Sequence, residues 1–82
     1  KNNLFQQQSF ELLVANNYAE LFKNLRHHLQ NKNDQQHSEV LMLQSRYNGW
    51  EKKTSMGVVD DKEAQITINK ISLALIQQIK KL

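Results

Sequence analysis

A chain of 82 residues with a net charge of +3 and a pI near 9.3 has room for one small core, stable by only a few kcal/mol. It has no cysteine, which excludes a disulfide scaffold and a cysteine-ligated zinc site, and no apolar run approaches the ~20 residues that span a bilayer. The charge is mildly basic, not the dense positive stripe of a strong nucleic-acid binder.

The chain begins at Lys1 without a Met, as a segment excised from a larger multidomain protein would, and a missing native start would hide any signal peptide. With no Pro and only two Gly, almost nothing punctuates the sequence, which favours long helices. Gln and Asn are spread along periodic segments, so they do not form a low-complexity tract.

The helical period predicts a first helix over roughly 3–15, with Phe5, Leu12 and Leu13 on one face and Phe10 and Val14 at its edge. Asn16-Asn17 ends it, because Asn tolerates the left-handed conformation of a helix stop. Asn17 then caps a second helix, and Glu20 three residues on completes an Asn version of the capping box. Tyr18, Leu21, Phe22, Leu25, His28 and Leu29 follow at helical spacing. QNKNDQQ, over 30–36, reads as a polar loop with Asp34 as the next cap.

A third helix runs from about 35 to 55 and presents Val40, Leu43, Tyr47, Trp50 and Thr54 as one stripe. Gly57 suits its end. Asp60 caps a fourth helix with Glu63 as its reciprocal partner, and Val59 and Ala64 form a hydrophobic staple. The early acids and the late pair Lys80-Lys81 both suit the helix dipole. This helix buries Ala64, Ile68, Ile71, Leu75, Ile79 and Leu82. Short connections make neighbouring helices antiparallel. The expected fold is all-α: one domain over 1–82, a small antiparallel bundle of four helices. The alternative is a six-helix death-like variant, if the first or third helix is broken.

Catalytic chemistry is missing from the pattern. His27 and His28 are adjacent, hence about 100° apart on a helix, and neither has a His, Asp or Glu four residues on. A zinc site needs three or four converging ligands, so His28 is read as flanking the core and His27 as solvated. Ser9, Ser38, Ser45, Ser55 and Ser72 have no nucleophile context. Asp60, Asp61 and Glu63 are explained as a helix start, and no phosphate-binding loop motif occurs. Lys52-Lys53, Lys80-Lys81, Lys23 and Arg26 read as solvated cations not interleaved with exposed aromatics. The expectation is no enzyme, no cofactor and no metal.

What remains is spare apolar surface. Ile66 and Leu73 are seven apart on the side of the fourth helix nearly opposite its core stripe, and Ile76 extends it toward the core edge. Met42 and Gly49, also seven apart, face away from Leu43, Tyr47 and Trp50. Arg46 stands four residues before Trp50, where its stem can lie along the indole in a cation–π contact worth roughly 0.5–1 kcal/mol. Asn48 points to the other margin. Gly49 costs the helix about 1 kcal/mol unless another backbone approaches there. Met42, Arg46, Gly49, Ile66, Lys70 and Leu73 are the candidate protein-interaction residues.

From Leu41 onward the chain reads LMLQSRYNGWEKKTSMGVVDDKEAQITINKISLALIQQIKKL. This resembles the type 11 effector-associated domains of bacterial conflict systems. The shared pattern is Leu43, then Arg46-Tyr47-Asn48, the turn at Gly57, the acidic start from Asp60 to Glu63, and Asn69, Ile71, Ala74 and Leu75 of the last helix. The first half agrees more loosely, as a helical hairpin turning at Asn16-Asn17. Gly49 and Trp50 have no assigned place in the pattern.

The resemblance implies a non-enzymatic, cytoplasmic adaptor in bacterial immunity. Its partner would be a related helical domain on an effector, such as a caspase-like or trypsin-like peptidase or a TIR domain, or on a signalling NTPase. Pairing would be homotypic, and a homo-oligomer is one form it could take; separately, hydropathy gives no membrane partner and the scattered basic residues disfavour a nucleic-acid one. Two readings stand beside it. One is a nucleic-acid-binding helical domain, whose affinity would fall steeply with salt. The other is a structural accessory segment of a larger enzyme.

Overall fold

Three residues with left-handed backbone decide where the helices stop: Asn16 at φ 59°, Asn31 at φ 65° and Gly57 at φ 70°. The computed structural model describes residues 4–82; Asn3, where the predicted first helix begins, lies outside them. Four helices result: α1 (Leu4–Val14), α2 (Tyr18–Leu29), α3 (Asp34–Ser55) and α4 (Asp61–Lys80). They pack in the ring α1–α2–α3–α4–α1, the arrangement that short turns impose on an antiparallel bundle. Both α1 and α3 run unbroken, so the six-helix alternative does not apply.

The stops share one hydrogen-bond logic. After α1, Asn16 N–H donates to Leu13 O at 3.0 Å and Asn17 N–H to Leu12 O at 2.9 Å. After α3, Gly57 N–H donates to Thr54 O at 3.1 Å and Val58 N–H to Lys53 O at 3.2 Å. Both are Schellman motifs, which satisfy carbonyls that the helix leaves open.

The starts differ from expectation in three places. Asn17 is committed to closing α1, and at φ −93°, ψ 69° its side chain makes no cap bond to α2. The box expected at Asn17 and Glu20 therefore does not form. α3 is capped by Asn33, not Asp34: extended at φ −147°, ψ 93°, Asn33 accepts from Gln36 N–H at 3.0 Å. Asp34 is the first helical residue, where its charge faces the positive dipole end. At Asp60 the cap forms, its carboxylate accepting from Glu63 N–H at 2.7 Å, but among the described residues Glu63 makes no reciprocal bond to the Asp60 N–H.

The buried core comes from three helices: Leu21, Phe22, Leu25 and Leu29 of α2, Val40 and Leu43 of α3, and Ile68, Ile71, Leu75 and Ile79 of α4. Tyr47, Trp50 and Leu82 are half-buried against it, as are Phe5, Phe10, Leu12 and Leu13 of α1. On α1 only Ser9 is fully buried, its hydroxyl donating to Phe5 O at 2.9 Å.

Two glutamines enter the interior, against the reading of 30–36 as loop. Gln36 is buried and its Nε2 donates to Gln78 O at 2.8 Å. Gln78, also buried, donates from Nε2 to Glu39 Oε1 at 2.8 Å. These bonds fasten the start of α3 to the end of α4, while the Gln78 Oε1 is left buried without a partner among the described residues. Glu39 is held below the ordinary carboxylate range first by the Gln78 bond and then by the Lys81 charge.

His28 behaves as a core-flanking residue. It is half-buried and stacks on Phe5 with ring centroids 4.2 Å apart and planes at 15°. Burial, then the charge of Lys32, lowers its pKa below the ordinary value of 6.5. The folded state thus disfavours the imidazolium, the unfolded chain takes up more protons, and stability is lost as pH falls through the ordinary value. Thermal melts between about pH 7.5 and 5.5 should show this decline, and His28→Gln should flatten it. The Glu39 contribution is lost only at lower pH, below the ordinary carboxylate value of 4.5.

Candidate protein-interaction surface

α3 and α4 run side by side, and the Trp50 indole marks their crossing. Its Nε1 donates to Ala64 O at 2.8 Å, and Tyr47 lies against the same ring at 5.7 Å between centroids. That bond places the indole at the α3–α4 seam, and among the described residues no guanidinium stacks on an aromatic ring. The cation–π contact expected for Arg46 is therefore not made. Arg46 is instead an exposed cation on the rim of a shallow groove.

This groove has a volume of about 350 Å³ and runs between α3 and the start of α4, with Arg46, Gly49 and Lys53 on one side and Val59, Glu63 and Thr67 on the other. Met42, one turn before Arg46, and Lys70, three residues past Thr67, continue the two rims by helical spacing. Met42 is 68% exposed, Leu73 60% and Ile66 47%; the last two occupy the flank of α4 turned away from the core. All six candidate residues are exposed and belong to this one helix pair. Arg46 and Gly49 share the groove itself, whereas Ile66 and Leu73 stand beside it.

No atom of a neighbouring element within 4 Å would meet a Cβ added at Gly49. No backbone among the described residues needs the glycine. Gly49→Ala should therefore raise stability by about 1 kcal/mol in urea unfolding, the helix-propensity difference alone.

A second concavity escaped the sequence reading. Tyr18, Tyr47 and Trp50 were expected inside, yet they form one wall of an open groove of about 770 Å³ that also borders Leu13, Val14 and Ile76. Tyr18 stacks on Tyr47 at 5.0 Å and its hydroxyl pairs with Ser72 Oγ at 2.8 Å. Burial, then the Glu51 carboxylate, raises the Tyr47 pKa above its ordinary value. Helical spacing marks these residues as facing inward, but it does not show that α1 is too short to cover them.

Among the described residues no three His, Asp or Glu side chains come together as metal ligands would, and no helix is long and apolar enough to cross a membrane. No curated protein and no solved structure matches the chain. Its sequence does match the family described as effector-associated domain 11, over residues 5–82. That span takes in all four helices, the loosely matching first pair included, and the chain belongs to the effector-associated domain 11 family.

Proposed function

We propose that this domain is a non-enzymatic, cytoplasmic adaptor of bacterial defence, which joins an effector to a signalling NTPase by pairing with a related helical domain. The observation that carries the reading is the exposed apolar set Met42, Ile66 and Leu73 beside the cations Arg46 and Lys70 on the α3–α4 pair. A mixed apolar and basic face of this kind suits a protein interface, where apolar anchors sit within a polar rim. The effector-associated family supports it.

The test combines Ile66→Asp with Leu73→Asp. Both side chains are exposed, so far-UV circular dichroism and the melting temperature should stay close to wild type. Association, followed by light scattering over a concentration series and by pull-down of related domains, should weaken by about tenfold or more, the ordinary effect of losing a central anchor. A wild-type domain that remains monomeric and retains none of the related domains overturns the reading, as does a double variant that pairs normally.

A further inference from the structure

All three histidines of the sequence converge on one pocket. His27 and His28 reach it from α2 and His37 from α3, together with Lys23 and Arg26. Its volume is about 590 Å³, within the range of small-ligand sites. Phe5 and Leu41 supply apolar walls, and no Asp or Glu lines it. The adjacent pair His27-His28 gave no sign of this, because the third histidine arrives from another helix.

The cations there lack counterions. The ion pair between Lys81 and Glu39 is the only one among the described residues, so neither Lys23 nor Arg26 is held in a contact ion pair. Arg26 Nε is shielded from solvent and has no acceptor among the described residues. Lys32 adds positive potential, which His28 already registers. A concave site with permanent cations and no acid concentrates anions, and a guanidinium fork suits phosphate oxygens.

We propose that this pocket binds a small phosphorylated ligand, its phosphate held among Lys23, Arg26, His27 and His37 and its apolar part against Phe5, His28 and Leu41. The stacked Phe5–His28 pair offers a flat, aromatic flank of the kind that receives a planar ring. The site stands at the α2–α3 side of the bundle, away from the α3–α4 groove, and its assignment is independent of the adaptor reading.

The test is an amide NMR titration of the domain at constant ionic strength with ATP, pyrophosphate, inorganic phosphate and a phosphoserine peptide, against a chloride control. Saturable shifts are expected at Lys23, Arg26, His27 and His37, largest with ATP. Arg26→Gln should weaken ATP binding by about tenfold, as expected for loss of a charge-assisted contact, while Lys53→Gln, which removes a cation outside the pocket, should not. Should Arg26→Gln fold poorly, the exposed Lys23→Gln serves in its place. Absent shifts, equal losses in Lys53→Gln, or binding of a phosphoserine peptide in preference to ATP would each overturn the assignment.

Discussion

Phe22→Ala is expected to leave the domain largely unfolded at physiological temperature. Phe22 is wholly buried and heads the largest side chains of the core, where it also meets the Tyr47 ring at 5.7 Å. Removing a buried Phe costs about 3–5 kcal/mol through lost transfer energy and the cavity left behind. A single core of this size supplies only about 3–5 kcal/mol of net stability, so one substitution consumes most or all of it. Urea unfolding followed by circular dichroism measures the loss. Phe22→Leu, which keeps most of the volume, should cost well under half as much.

The second large effect is expected at the turn between α3 and α4. Gly57 has φ +70° and nothing within 4 Å of an added Cβ, so conformation rather than space decides what is tolerated. A β-branched residue is a genuine outlier there, and Gly57→Val should destabilise by about 1–2 kcal/mol. Gly57→Asn should be much milder, because Asn visits this region readily. The molecule itself supplies the comparison, since Asn16 and Asn31 hold the same conformation at φ 59° and 65°. A Gly57→Val variant as stable as Gly57→Asn would refute this account of the turn.

The helices were legible because their signals are local. Leu21, Phe22, Leu25 and Leu29 repeat at the helical period, and Asn16, Gly57 and Asp60 punctuate the chain with the chemistry their positions demand. The cap of α3 was misread because Asn33 and Asp34 are both good caps, and only the extended backbone of Asn33 decides between them. Gln36 was misplaced because a glutamine gives no inward signal until the Gln78 carbonyl, 42 positions away, comes within 2.8 Å. The candidate residues on α3 and α4 were legible as exposed apolar positions, since a seven-residue interval repeats a face wherever a helix forms. That Arg46 and Gly49 border one groove with Glu63 depends on how α3 and α4 cross, and the fastening of Trp50 to Ala64 O sets that crossing. The basic pocket was not legible, because it needs α2 and α3 brought side by side.

The ring of helices also orders assembly in time. α2 meets α3, and α3 meets α4, across short turns, so those pairs form with little loop entropy to overcome. The seam between α1 and α4 must bring together the two ends of the chain: the Gln6 side chain donates to Ile79 O across 73 positions. α1 also meets α2 across the short turn at 15–17, so loop-closure entropy favours the α1–α4 seam closing last. With Ser9 its one fully buried residue, α1 is also the element that opens most cheaply in the native state. Hydrogen exchange should therefore be fastest among the amides of α1, with those of α2, α3 and α4 protected longer.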